Sequence, residues 1–440
     1  MKVLRSSLDR QAACMAEQRL LERQGDLERW PGEDFLIGRG AGLSYVAASF
    51  DETAVSLDVS VFDRLLDFNA QEGWIEAEAG ITLGQLFRFL APRGWQLAVQ
   101  PGYPGITLGG CIAGDVHGKN HLREGTFKRH VLGFELLHPD HGRLWCSPDE
   151  NAEVFDLTLG GLGLTGLILR ARIKLAPLKG AWVEERHWPV DSLEEAFAQA
   201  LKLKDRHDML YAWLDLAEAK KAAGKGYIAT ADLIPGPLPQ EMHAPPACLD
   251  PSGSNLKRRP LFNRFTMPWI NRLYRWQGLR HGGAVRIGLP VFLFPAAGKE
   301  SYFHFYGDRG FVELQMLLPF EAADSYLPAF RSLLSRHDVP VILATLKIFE
   351  GGSQTALRYD GEGYSFTIDV AATPRALAML AELDGLNTEH GVVTGVLKDS
   401  RLSSSVAQAQ YRGYDEFKAR LRTFDPRRRF RSTLSERLGL

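Results

Sequence analysis

The stretch GDVHGKNH, residues 114–121, sets an acid, two histidines, a lysine and an asparagine among glycines. His117 and His121 have the i, i+4 spacing of a zinc-binding helix. Gly118, however, stands where such a motif carries its general-base glutamate, and glycine opposes the helix that the spacing requires. The run therefore argues against a metal site, and no metal is expected. Gly161, Gly163 and Gly166 in GGLGLTG match a dinucleotide fingerprint. That motif works with a strand before it and a helix N-terminus after it. Here the helix-like ENAEVFDLTL precedes and the strand-like GLILRARIKL follows, so a chance match, or service to another cofactor loop, fits better. A third chemistry fits best. Consecutive tight turns aim backbone N–H groups into a concave nest that holds phosphates. GRGAGLSY at 38–45 is one such stretch, with Arg39 to pair a phosphate and Ser44 to donate a hydrogen bond, and PGYPGITLGGCIAG at 101–114 is another. Two glycine loops suit an elongated diphosphate cofactor.

The elements that must position these residues follow from periodicity. DFLIGRGAGLSY, AVSLDVSVF, WIEAEAG, VLGFELLHPDHGRLWC and LTGLILRARIKLAP are β-branched or apolar runs bounded by glycine turns and read as strands. TLGQLFRFLAPRG reads as a helix with Thr82 as N-cap and Pro92 as its stop. Beyond about residue 181, amphipathic helices (SLEEAFAQALKLK, EAADSYLPAFRSLLSRH) alternate with strands (FVELQMLLP, VPVILATLKIF, GYSFTIDVA), a sheet covered by helices. Residues 234–260, dense in Pro, Gly and Ser, read as a long mobile loop, and YDEFKARLRTF as a helix ended by Asp-Pro.

With 440 residues and a formal net charge of -1, the chain can bury two cores, and its charge balance speaks against a nucleic-acid partner. The N-terminus lacks the apolar core of a signal peptide and no run is long enough to span a bilayer, which predicts a cytoplasmic protein. Cys14, Cys111, Cys146 and Cys248 are too scattered for a disulfide framework or a metal pair.

Taken in order, GRGAGLSY, DVSVFDRLLDFN, EAGITLGQL, PGYPGITLGGCIAGDVHGKNH, EVFDLTLGGLGLTGLI and the terminal FDPRRRF resemble the FAD domain of the vanillyl-alcohol-oxidase, or PCMH-type, flavoproteins. GGCIAGDVHGKNH followed far downstream by LKDSR at 397–401 is similar, within that family, to the decaprenylphosphoryl-ribose 2-oxidases. The resemblance implies an α+β, two-domain PCMH-type FAD-binding fold with an inserted α/β substrate, or cap, domain. The FAD domain would cover 1–176, completed by 393–440; the cap would cover 177–392, with a mobile basic loop near 234–282. It implies that Gly38, Arg39, Gly40, Ala41, Gly42, Leu43, Ser44 and Tyr45 hold the FAD diphosphate. Gly102, Thr107, Gly109, Gly110, Gly114, Asp115, Val116 and His117 would line the cofactor, and Ile168 would touch its far part. Lys119, Trp213, Gln315 and Lys347 match substrate-pocket positions. Lys398, His117 and Tyr45 are the side chains able to stabilise charge and move a proton beside a flavin. Lys398 is expected to orient the hydroxyl, with His117 assisting proton removal.

Several positions depart from the family. Leu43 occupies the place of a flavin-linking histidine, so noncovalent FAD is expected. Thr367 replaces a cysteine of the mycobacterial members, Gly395 an aromatic, Glu313 a glutamine and Leu293 a tyrosine. The strand and helix that usually precede the first glycine loop are compressed into about thirty residues.

The implied activity is oxidation of the 2′-hydroxyl of a polyprenylphosphoryl pentose, with an NAD(P)H-dependent short-chain reductase completing an epimerisation. A soluble sugar, alditol or lactone oxidase is the alternative enzyme, and a noncatalytic FAD- or lipid-binding subunit the alternative of another class. Residues 256–282, LKRRPLFNRFTMPWINRLYRWQGLRHG, interleave cations with aromatics and contain no acid, the texture of a segment lying on the anionic inner face of a membrane, or else of a basic loop or a helix packed on the cap domain.

Overall fold

The computed structural model describes residues 1–22, 35–217, 224–239, 258–352 and 355–440. Three sheets organise them. In the first, strands Phe35–Arg39 and Ala13–Leu20 flank Ala54–Asp58 in parallel, and Lys2–Ser6 pairs antiparallel with Ala13–Leu20 at the edge. The described N-terminal residues are thus a two-stranded hairpin, and 23–34, the rest of the stretch in which a compressed strand and helix are expected, lie outside the described residues. Its turn is held by Asp9, whose carboxylate accepts from Ser7 Oγ at 2.6 Å and from the Gln11 amide at 3.0 Å.

The second sheet has the order Leu65–Asn69, Trp74–Glu78, Leu167–Pro177, Val131–His138, Gly142–Cys146, all antiparallel, and Trp95–Leu97 adds to the end of Leu167–Pro177. Helix Leu83–Leu90 packs on it through Leu83, Leu86 and Leu90, fully buried at helical spacing. Thr82 caps it as expected, in a reciprocal box with Gln85. The α-helix stops at Leu90, and Pro92 falls in a short 3-10 turn that ends on left-handed Gly94.

The third sheet is the largest, eight antiparallel strands running Val285–Gly288, Trp182–Val190, Lys225–Ile234, Met209–Asp215, Leu343–Phe349, Gly363–Ala371, Phe311–Leu318, Val393–Thr394. Strand alternation gives it two unlike faces. Leu314, Met316, Leu346, Phe366 and Ile368 point into a core roofed by helices Leu193–Leu203, Ala323–His337 and Pro374–Glu389. Their strand neighbours Glu313, Gln315, Lys347, Thr367 and Asp369 therefore share the opposite face, which turns to the glycine loops.

The two ends of the chain meet beside that face. The Asp9 carbonyl accepts from the Phe311 amide at 3.1 Å, and Arg10 donates to the Gly307 carbonyl at 2.9 Å. A Cβ on Gly310 would collide with the Asp9 carbonyl, so only glycine allows the contact. Arg437 in turn donates to the Asp399 carbonyl at 3.1 Å and to that of Ser400. Within the expected mobile basic loop, residues 267–279 form a helix, Met267–Leu279, while 240–257 lie outside the described residues.

Candidate active site

Strand Phe35–Arg39 delivers the chain into the turn that follows, where Gly42 adopts a left-handed φ of 69°. Among the described residues, no amide from Gly40 to Tyr45 has a hydrogen-bond acceptor. The carbonyls of Ser44 and Tyr45, by contrast, accept from the Leu8 and Asp9 amides at 3.1 and 3.4 Å. A row of unpaired donors with the acceptors turned away is the donor set a diphosphate requires, so the loop fits FAD. Arg39 is a brace: its guanidinium donates to Ser49 Oγ at 3.0 Å and lies against Gly42, where a Cβ would displace it.

The second glycine stretch differs from expectation. Leu108–Gly114 is a helix capped by Thr107, and it fills three of its own first amides: Leu108 donates to the Ile81 carbonyl, Gly109 to that of Ala79, and Gly110 to Thr107 Oγ1. Gly109 serves packing, since a Cβ there would stand 3.1 Å from the Ala79 methyl. Gly102 and Gly110 are exposed and leave the approach open, as does Ala41 in the first loop. Thr107 Oγ1 sits where a Cβ on Gly40 would fall, so it joins the two loops.

Asp115 ends this helix in the left-handed region, φ 42°. Its buried carboxylate accepts from the Lys128 amide at 2.8 Å and Thr126 Oγ1 at 3.1 Å, so it shapes the turn; burial raises its pKa. Val116 packs against the core of the second sheet. His117 follows in an isolated bridge to Thr126, off any helix, so the zinc-helix geometry suggested by the histidine spacing does not arise. His121 instead stacks on Phe349 at 3.5 Å and meets Asp360 at 3.1 Å, with Lys128 completing the cluster at 3.2 Å. Another group with metal-ligand potential, His138, Asp140 and Asp425, is internally engaged: the Asp140 amide donates to His138 Nδ1 and its carboxylate pairs with Arg427.

Gly114 allows the turn carrying His117 to meet the turn carrying Lys398, since a Cβ there would stand 2.9 Å from Leu397. Gln315 Nε2 donates to His117 Nε2 at 2.9 Å, which places the ring proton on Nδ1, 3.3 Å from the Gly118 carbonyl. Burial, with Lys347 and His121 nearby, holds the His117 pKa well below the usual imidazole value, so the ring is neutral. Lys398 Nζ lies 2.9 Å from Glu313 Oε1 and 3.6 Å above the Tyr45 ring. Burial and the neighbouring carboxylates keep Tyr45 protonated. Asp369, opposite Glu313 across the strand pair, is raised by burial and by Glu313, and Tyr306 donates to it at 3.3 Å. Burial lowers Lys347 to about 8, Lys398 adding to the effect. Lys119 is lowered to about 7 by burial; it donates to the Phe292 carbonyl and lies 4.1 Å over that ring.

The sheet register fixes the breadth of the site. Gln315, Thr367, Thr345, Trp213 and Tyr227 are successive cross-strand partners. Trp213 thus stands three strand spacings from Gln315, about 14 Å. The threonines between them leave a trough with Gln315 at one end and Trp213 at the other. Gly395 opens the Gln315 end, since a Cβ there would lie 3.3 Å from Gln315 Oε1. Ile168 stands apart, in a cleft of about 240 Å³ lined also by Val59, Phe62, Glu78 and Arg170.

His117, Gln315, Lys347, Lys398 and Tyr45 therefore converge; Lys119 and Trp213 flank them. Of the charged partners, Glu313 was noted only as a departure from the family, with no role, and Asp369 was not noted. Period-2 alternation could have found both, since Glu313 lies two residues from Gln315 and is paired across the sheet with Asp369. Tyr302 lies in the short 3-10 helix Glu300–His304 and Tyr306 just beyond it, where no such signal runs. Cys111 and Cys146 are buried free thiols, Cys146 pushed up to about 12, and Cys248 lies outside the described residues.

A family profile described as an FAD binding domain matches residues 35–147. The chain is 28% identical over 418 residues to decaprenylphosphoryl-beta-D-ribose oxidase of Mycolicibacterium smegmatis, covering 92% of this chain and 89% of that one. It is 30% identical over 397 residues to an uncharacterized Streptomyces coelicolor protein of the mprA 5′ region, covering 82% of this chain and all of the other. Human delta(24)-sterol reductase matches at 26% identity over 194 residues, 43% of this chain and 37% of the reductase.

Proposed function

We propose, on the premise that this chain belongs to the PCMH-type FAD-dependent oxidoreductases, that it oxidises the 2′-hydroxyl of a polyprenylphosphoryl pentose to the keto sugar. The observation that carries this reading is the likeness to a decaprenylphosphoryl-ribose oxidase over 92% of the chain. The convergence of Lys398, Gln315 and His117 between the glycine loops and the sheet trough supports it. In this reading residues 1–176 with 393–440 hold the cofactor, which the loop Gly38–Tyr45 binds noncovalently, and 177–392 hold the sugar. Bound FAD supplies a hydride acceptor for an alcohol carbon.

The protein's own residues do the rest. His117 spends its lone pair on the Gln315 amide and so fixes that side chain, leaving Gln315 Oε1 to accept a sugar hydroxyl in the space beside Gly395. Lys398 meets the reacting hydroxyl. As the O–H bond breaks, Lys398 takes that proton and passes one of its own to Glu313, so the carboxylate is neutralised, the ammonium stays charged, and the pair's net charge rises by one as the hydride leaves the carbon. This shifts the proton-accepting part expected of His117 to Glu313. Lys119 and Lys347, discharged readily in the empty trough, meet the phosphate. The lipid tail places the enzyme at the inner face of the membrane, and an NAD(P)H-dependent short-chain reductase would consume the keto product.

Anaerobic addition of polyprenylphosphoryl ribose to the yellow protein tests the reading. Bleaching of the flavin absorbance is expected. A spectrum unchanged by the lipid-linked sugar but bleached by free sugars, alditols or lactones would replace this substrate with a soluble one.

A further inference from the structure

Helix Met267–Leu279 has two unlike faces. Met267, Asn271, Tyr274 and Gly278, at spacings of four, three and four, form the inner one. Asn271 Nδ2 donates to Asp215 Oδ1 at 2.7 Å, the Gly278 carbonyl accepts from His187 Nδ1 at 2.7 Å, and the Tyr274 ring lies 4.8 Å from Trp213. The helix is therefore fastened over the Trp213 end of the trough.

The opposite face carries Trp269, Leu273 and Trp276, which are 70%, 55% and 58% exposed, with Phe265, 74% exposed, just before the helix. Each of the three aromatics has an arginine beside its ring: Arg264 at Phe265 (5.3 Å), Arg272 at Trp269 (5.4 Å) and Arg280 at Trp276 (5.8 Å). From Arg258 to Lys299 the chain contains no Asp or Glu. Large aromatics held in water are costly unless something covers them. The cations beside them exclude a basic or neutral cover in favour of an anionic one. Indole rings with arginines at one level are the composition that meets a headgroup layer. Among the described residues no helix is long and apolar enough to cross a membrane, so this surface would lie on a bilayer.

The geometry points to the outer face of Met267–Leu279, with Phe265, as the docking surface for an anionic membrane, seated so that the docked bilayer adjoins the Trp213 end of the substrate trough. Tyr274, packed on Trp213 yet half exposed, stands at the boundary between the two. The docking surface goes beyond the activity proposed above, and its place as the entry for the lipid tail rests on that reading.

The experiment is flotation of the FAD-loaded full chain with phosphatidylcholine vesicles, with and without phosphatidylglycerol. Binding is expected with the anionic vesicles and should weaken with added salt. The double variant Trp269→Ser/Trp276→Ser should lower partition about a hundredfold. The triple variant Arg264→Gln/Arg272→Gln/Arg280→Gln should lower it about as much on anionic vesicles, with little change on neutral ones. An unchanged flavin spectrum verifies that the variants fold. No flotation with either vesicle, or flotation indifferent to both variants, overturns the docking surface. Flavin bleaching in the same samples separates the two claims. Vesicle binding with no bleaching by the lipid-linked pentose keeps the surface and removes the substrate, and bleaching without vesicle binding does the reverse.

Discussion

At the residue scale, the site is a set of cations in a recess with few acids. Lys398 has Glu313 as partner, whereas Lys119 and Lys347 are held down to about 7 and about 8 chiefly by burial. On the proposed reading an anionic phosphate entering the trough would restore their charge, so its binding is expected to take up protons between about pH 7 and 9. The sign follows from linkage: a base lowered in the free protein and raised in the complex makes affinity fall as pH rises through the lowered values. Calorimetry of a phosphorylated sugar in buffers of different ionisation enthalpy should show proton uptake near pH 8, diminished in Lys347→Met. For Lys398→Ala, stopped-flow reduction by substrate should slow about a hundredfold or more, the scale of losing one charged stabiliser. A rate equal to wild type would remove Lys398 from the chemistry. Thr367 offers no thiol where the mycobacterial relatives are expected to have one, so reagents that need a cysteine there should leave this protein unlabelled.

At the element scale, the short turn from Asp115 to His121 depends on one buried carboxylate outside it. Asp360 receives His121 and Lys128, and these partners hold it at about 2 although burial opposes them. A depressed carboxylate contributes stability that is complete above its unfolded pKa, about 3.9, and is lost as pH falls through the folded value. Asp360→Asn should therefore cost about 3 kcal/mol at pH 7, and the difference should shrink in unfolding curves taken near pH 2. The same element shows what the sequence made legible. Each strand and helix named from periodicity formed, because alternation and 3.6-residue spacing survive in any context that buries one face. Glycine-rich chain misled where it was most informative: PGYPGITLGGCIAG looked like loop throughout, yet Thr107 caps a helix that begins inside it, because burial against Ala79 outweighs glycine's low propensity. Helix Met267–Leu279 is one of the readings that the basic, aromatic composition of 256–282 left open, and composition alone did not choose it because its inner face, Met267, Asn271, Tyr274 and Gly278, mixes polar and apolar types.

At the scale of the whole molecule, the cofactor and the sugar are expected to meet where three separate parts of the chain come together: the glycine loop after Phe35–Arg39, the polar face of the large sheet, and the turn at Lys398. FAD bound in that junction stabilises all of them at once. At a hundredfold excess over its Kd it should add about 2.7 kcal/mol, read as a higher unfolding midpoint for loaded than for stripped protein. The meeting of the chain's two ends has a further consequence, in time. The turn at Asp9 binds Gly307 and Phe311, and Arg437 clasps Asp399 and Ser400, so the pocket is closed by segments that leave the ribosome far apart in time. At about 5–20 residues per second, the N-terminal hairpin waits roughly fifteen seconds to a minute for strand Phe311–Leu318, and longer for Arg437. Until then the Asp9 carbonyl and the Arg10 guanidinium lack their partners, and a nascent chain stalled before Lys398 would lack the lysine proposed to meet the substrate.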